Sequence, residues 1–242
     1  MTINVEGSSA ARSIRAEQRC KLSRDGVVLD SGRIDVGGAD VFRSALLARR
    51  ESELPGRESL RKGVALLRSL YDVSPSGPKL IKDSALRAFA ESTLIPLASG
   101  EGAGAYKLAS YLPLVGRGGG FTPAGDDFLG GFVATFNFVA RCRRLKQIRI
   151  PRALLRGRTV PESANVLFYS ARGYVDEGME RLVLRSLGEG PGFSDELIEV
   201  ARRGHTSGMD MSLGVLLCEA ALADADSRGR ALEGCLDILW RP

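Results

Sequence analysis

The sequence predicts an α+β protein: a small β-rich N-terminal region over residues 1–50, then a mainly α-helical domain over residues 51–242 with a buried central helix. Three features predict it. Residues 20–38, CKLSRDGVVLDSGRIDVGG, set β-branched side chains among turn dipeptides. Farther along, apolar residues recur at three- and four-residue intervals. The strand–helix alternation of Rossmann and P-loop domains is missing, as are their phosphate-binding glycine fingerprints.

Taken in order, Asp25-Gly26 reads as a two-residue hairpin turn, with Ser31-Gly32 and Gly37-Gly38 as further turns. The polar passage RRESELPGRES leads into helical territory. Leu60, Val64, Leu67 and Tyr71 mark one helix, and Ile81, Ala85, Phe89 and Ala90 a second, with Ser74-Pro-Ser-Gly-Pro between them. A short segment over Tyr106 to Leu112 ends at Pro113 and a glycine-rich loop. Pro123 to Lys146 reads as the central helix, because Phe128, Leu129, Phe132, Val133, Phe136 and Val139 make most of its circumference apolar. Further helices are expected over Glu162 to Arg172, Tyr174 to Leu187, Asp195 to Arg203, Ser207 to Ala223 and Arg228 to Trp240. Ser194 is the expected N-cap of the third of these and Gly204 its stop.

Composition narrows the function classes. With 44% apolar and 26% charged residues, the 242-residue chain has an ordinary soluble balance. The longest apolar run, Phe128 to Ala140, is too short to span a bilayer and contains Asn137, so no membrane role is expected. No unbroken apolar segment marks a secretory signal at the N-terminus, and Cys20, Cys142, Cys218 and Cys235 form no CxxC pair. These point to a reducing, cytoplasmic setting without zinc or a disulfide framework. The single histidine, His205, excludes multi-histidine metal sites. Net charge is +5, but Arg141 to Arg158 carries eight basic residues and no acid. One reading is helix-end chemistry, since cations favour a helix C-terminus. The other is a contact surface for an acidic partner or nucleic acid. The lack of interleaved aromatics weighs against nucleic acid.

Two stretches carry chemistry, and they look alike. GRGGGFTPAGDDFLGG, from Gly116 to Gly131, holds Thr122-Pro-Ala-Gly125-Asp126-Asp127; GHTSGMDMSLGV, from Gly204 to Val215, holds Thr206-Ser207-Gly208-Met209-Asp210. In each, a threonine suited to capping precedes a glycine in the first helical turn, an aspartate, and a glycine farther along an apolar helix. Gly125 and Gly208 stand where alanine would favour the helix by about 1 kcal/mol, which points to a close approach to the backbone. Gly130, Gly131 and Gly214 would let the two helices pack tightly. The expected arrangement is two helix N-termini converging on one pocket under Gly118, Gly119 and Gly120, with backbone N–H groups for an anion.

The carboxylates complicate a plain anion site, because like charges 4 Å apart repel by about 1 kcal/mol in water and about 4 kcal/mol at intermediate dielectric. A Mg²⁺ ion held by Asp126, Asp127 and Asp210 is one remedy. A ligand N–H donor facing them is another. The bland alternative is that the aspartates complement the helix dipoles, which requires no matched glycines. His205 reads equally as a cap or a ligand contact, and Met209 and Met211 as core filling.

On these residues the chain resembles the AllH-type subunit of oxamate carbamoyltransferase, a family long catalogued as a domain of unknown function. Its hallmark, a glycine run ending in Leu-Thr-Pro-Ser-Gly-Asp-Asp with a later Thr-Ser-Gly-x-Asp, is similar to Gly118–Asp127 and Thr206–Asp210, with Phe121 and Ala124 as departures. The resemblance covers roughly Ala105 to Ala223. It implies a carbamoyl-transfer assembly of allantoin and purine catabolism, in which oxalurate and phosphate give oxamate and carbamoyl phosphate. It also implies partner subunits, one resembling acyl-CoA synthetases. In that reading Gly118, Gly119, Gly120, Thr122, Gly125, His205, Thr206, Ser207 and Gly208 bind a small carboxylate, carbamoyl or phosphate ligand. Asp126, Asp127 and Asp210 are the catalytic residues, orienting the carbamoyl amide or Mg²⁺. The competing expectations are a non-catalytic, ligand- or nucleotide-binding regulatory subunit, and an interaction protein using the basic surface.

Overall fold

The computed structural model describes residues 20–23, 26–30, 32–35, 46, 57–73, 80–100, 110–187, 193–204 and 206–240. The chain divides into two units, 1–43 and 44–242.

In the first unit three strands form an antiparallel meander: β1 (Cys20–Leu22), β2 (Gly26–Leu29) and β3 (Gly32–Asp35). Cys20 pairs with Leu29 and Leu22 with Val27, while Gly26 pairs with Asp35 and Leu29 with Gly32. Gly26, expected as a turn residue, instead begins a strand. Ser23 N–H donates to Gly26 O at 2.9 Å, so Gly26 closes the turn and opens β2. Most of the predicted β-rich region, Gly37-Gly38 included, lies outside the described residues.

The second unit is helical. Its elements are α1 (Arg57–Val73), α2 (Ser84–Phe89), a π-type turn (Ala90–Leu94) running into α3 (Ile95–Ala98), α4 (Ala124–Cys142), α5 (Arg152–Leu155), α6 (Pro161–Ser170), α7 (Glu177–Leu187), α8 (Phe193–Ala201), α9 (Ser207–Ser227) and α10 (Ala231–Trp240). α4 is the predicted central helix, with every residue from Ala124 to Ala140 buried. It stops four residues early because Arg144 turns left-handed at φ 57° and Leu145 N–H reaches back to Ala140 O at 2.7 Å. Phe128, Phe132 and Phe136 stack along one side of α4, and Phe89 meets the first two edge-on at 5.5 and 5.2 Å. Each such buried ring contributes roughly 2–3 kcal/mol.

α9 shares the centre. It packs along α4 and also touches α1, α3, α8 and α10. A carbon side chain on Gly131 would overlap the Met211 carbonyl oxygen, and one on Gly214 would overlap that of Phe128. Glycine there sets the separation of the two helices. Gly130 differs from its expected role: it faces Val166 and Ser170 of α6. α8 begins at Phe193, so Ser194 lies inside it rather than capping it. Among the described residues no helix is long and apolar enough to cross a membrane.

Buried polar side chains close the gaps between elements. Asn137 donates to Ile148 O and Ala171 O and accepts from Ile148 N–H, pinning the basic segment that leaves α4. Asp224 accepts from Ala231 N–H at 2.7 Å and Leu232 N–H at 2.8 Å, satisfying the otherwise open first turn of α10. Asp224→Ala is expected to lower stability by about 1–2 kcal/mol, read as a lower urea midpoint at unchanged slope. An unchanged midpoint would show that solvent replaces the cap.

Candidate functional site

The two motifs meet at one hydroxyl. Thr122 Oγ1 donates to Asp127 Oδ2 at 2.9 Å and lies 2.9 Å from Ser207 Oγ, joining the glycine loop to the first turns of α4 and α9. Asp127 and Asp210 are both buried, one in each of those turns. α1 adds a residue that the sequence marked only as a helix position and not as part of the site: Tyr71 donates its phenol proton to Asp210 Oδ1 at 2.6 Å. A buried tyrosine hydroxyl must find a partner, yet nothing local indicates one 139 positions away. Asp210 Oδ2 makes no hydrogen bond of ordinary geometry among the described residues, although the Thr206 hydroxyl acts on the carboxyl.

Burial dominates the electrostatics. Desolvation pushes the Asp210 carboxyl up to about 7, opposed by the hydroxyls of Tyr71 and Thr206 and reinforced by the charge of Asp127. Asp127 is raised by desolvation too, against hydrogen bonding from Ser207 and Thr122, with the Asp126 charge adding to the rise. Tyr71 is raised well above its ordinary value by burial, then by Asp210. Near neutral pH Asp210 is therefore partly protonated, and the pair carries less than two negative charges. This softens the repulsion that made an anion beside adjacent aspartates hard to understand.

Asp126 turns the other way. Successive helical residues point about 100° apart, so it cannot share the face of Asp127. Its Oδ1 accepts from Gly116 N–H at 2.8 Å and its Oδ2 from the Thr159 hydroxyl. Desolvation raises its carboxyl against these bonds. Asp126 ties the glycine loop to the chain entering α6. Correspondingly, no three histidine, cysteine or acidic side chains stand together as a metal-holding group among the described residues. Asp126, Asp127 and Asp210, expected as a three-carboxylate Mg²⁺ set, are thus not brought together as one group among the described residues.

Other expectations change as well. Gly125 N–H donates to Arg117 O at 2.9 Å and Gly208 N–H to Arg203 O at 3.1 Å, so neither amide is left for an anion. The close approach inferred for both glycines is made by the protein's own backbone, Leu114 O at one and Val200 O at the other. Thr122 does not cap α4; Pro123 occupies that position in an extended conformation, and the threonine hydroxyl serves Asp127 instead. Thr206 is the N-cap residue of α9 but makes no side-chain cap bond. Gly118, Gly119 and Gly120 are exposed, as is Phe121. Arg117 pairs with Asp83 at 2.8 Å across the loop's outer side. His205 lies outside the described residues.

No curated protein and no solved structure matches the chain. A family model does, over residues 114–219. That span runs from the carbonyl that abuts Gly125 to the buried Glu219 of α9, and it contains both motifs and the Asp126–Thr159 tie. The family that residues 114–219 match is oxamate carbamoyltransferase subunit AllH.

Proposed function

We propose that this chain is a subunit of a carbamoyltransferase-type complex and that the junction of its two motifs binds a small ligand with an anionic end and a carbamoyl end. The observation that carries this reading is the Thr122 hydroxyl, which bonds Asp127 and lies beside Ser207. A purely structural pair of helix starts would not require buried acids at both. The exposed backbone of Gly118, Gly119 and Gly120 takes the phosphate or carboxylate. Asp127 accepts from the carbamoyl NH₂, oriented by Thr122 and Ser207. Asp126 and Thr159 act as positioning residues that hold the loop.

The chemistry suits a group that exchanges protons near neutrality. When a phosphate oxygen adds to the carbamoyl carbon of oxalurate, the C–O bond forms and the C–N bond to oxamate breaks. The proton of hydrogen phosphate ends on the departing nitrogen. Asp210, titrating at about 7, lies beside Asp127 in charge terms and can buffer that transfer through the hydroxyls around it. The rest is positioning and stabilisation of the tetrahedral intermediate, with no protein nucleophile required.

Asp127→Asn keeps the shape but reverses half of the acceptor surface. In the assembled complex it is expected to lower carbamoyl transfer by about a hundredfold or more, with the unfolding midpoint little changed. Full activity in that variant would remove Asp127 from the reaction. Turnover by the isolated chain, compared with the complex, measures whether the partners are needed.

A further inference from the structure

The basic segment after α4 is only partly neutralised. Arg143 forms a two-pronged pair with Asp226, both contacts at 2.7 Å. Arg152 and Arg172 behave differently. The Arg152 guanidinium lies over the Phe168 ring at 4.2 Å and over Tyr169 at 5.6 Å, and Arg172 lies over Phe168 at 3.4 Å. Tyr169 meets Phe168 edge-on at 5.3 Å and Tyr174 edge-on at 6.3 Å. Beyond the rings, Arg152 reaches the Tyr169 hydroxyl at 3.4 Å and Arg172 reaches Phe168 O at 2.8 Å. Neither meets a carboxylate among the described residues, whereas Arg117, Arg181 and Arg203 all do.

This is a preorganised but uncompensated surface. Stacking on aromatic rings fixes the guanidinium planes and lowers the ordering entropy that a partner would otherwise have to overcome. Tyr169 and Tyr174 remain 43% and 54% exposed. Exposed Arg149 and Arg156 extend the positive charge with no acid anywhere from Arg141 to Arg158. Tyrosine and arginine are the residues that dominate protein interfaces, and lysine is depleted there; seven of the eight cations in that stretch are arginine. Nucleic acid fits less well. Phe168 already carries two guanidiniums, and the two tyrosines meet edge to face instead of offering parallel platforms for bases.

We infer that the surface formed by Arg152, Phe168, Tyr169, Arg172 and Tyr174 is the docking face for an acidic surface on another protein subunit. The inference rests on reading the chain as one subunit of a complex. Helix α6 links the face to the site: Thr159, bonded to Asp126, precedes its cap, and Phe168 and Tyr169 lie in its last turn.

The test uses the full chain, tagged and expressed in its own host, with the photoreactive p-benzoylphenylalanine replacing Tyr174 or, as control, the exposed Val73. The expected result is a cross-link from position 174, and not from 73, to an Asp/Glu-rich peptide of a different protein. Arg152→Glu with Arg172→Glu should weaken that association at least about tenfold, while Arg152→Lys with Arg172→Lys retains part of it. Circular-dichroism melting of the purified variants separates lost docking from lost fold. A cross-link to nucleic acid, to a second copy of this chain or to a non-acidic peptide overturns the inference, as does association untouched by charge reversal. Partner subunits that co-purify but cross-link only from position 73 overturn the docking face alone. If no other protein accompanies the wild-type chain, the subunit reading falls with it.

Discussion

Gly214→Ala is expected to cost roughly 3 kcal/mol or to prevent folding, although alanine is the better helix former by about 1 kcal/mol. The added methyl would overlap the Phe128 carbonyl oxygen and stand 2.8 Å from Phe132 N, both backbone atoms of α4. Neither can swing aside as a side chain could. Gly131→Ala meets the Met211 carbonyl oxygen in the same way from the other helix. Relief requires α4 and α9 to separate, and their first turns carry Asp127 and Asp210, so the Thr122–Ser207 contact would be lost too. Gly130→Ala is the internal control. Its methyl meets Val166 Cγ1 at 3.4 Å and Ser170 Oγ at 3.9 Å, which is ordinary contact. That variant is expected to be neutral or up to about 1 kcal/mol more stable. Urea unfolding of the three variants checks the ordering. Equal effects at positions 130, 131 and 214 would mean that the helix separation is not set by these glycines.

The same geometry explains what could be read in advance. Apolar spacing located α1 by its single buried face of Leu60, Val64, Leu67 and Tyr71, and it located α4 and α9 because they are apolar on nearly all sides. The pairing of the two Thr/Gly/Asp motifs was also legible, since matched residues at two helix starts point to a shared environment. The division of labour between Asp126 and Asp127 was legible in principle: neighbours on a helix diverge by about 100° and cannot both serve one pocket. Tyr71 was not, because its role depends on α1 packing against α9, which no local pattern encodes. Nor were the carbonyls of Leu114 and Val200, since a glycine reports that something comes near without saying what. The aromatic neighbours of the basic segment escaped for a similar reason. Phe168, Tyr169 and Tyr174 lie beyond that segment in sequence and reach it only when α6 folds back beside Arg152.

A buried acid outside the candidate site should dominate the pH dependence of stability. Glu219 lies fully inside the protein on α9, and desolvation raises its carboxyl to about 8 from an ordinary 4.5, against one hydrogen bond from Ser186. The hydrogen-bond geometry independently favours the neutral form. Ser186 Oγ lies 2.6 Å from Glu219 Oε1 and 3.0 Å from Val183 O, yet a hydroxyl has one proton to give. Both contacts are satisfied when protonated Glu219 donates to Ser186 and Ser186 donates to Val183 O. Because the folded state holds this proton more tightly than the unfolded chain, stability falls as pH rises from the unfolded value toward about 8 and levels off above it. The loss amounts to roughly 3–6 kcal/mol. Asp210 contributes in the same direction, over a window that closes at about 7. Glu219→Gln supplies a permanent N–H for Ser186 and carries no titrating proton. Its stability advantage over the parent chain should be near zero at about pH 5 and grow to several kcal/mol at about pH 9. Parallel stability curves for the two proteins across that range would show that Glu219 stays charged in the folded state, with water or a rearranged neighbour meeting its second oxygen.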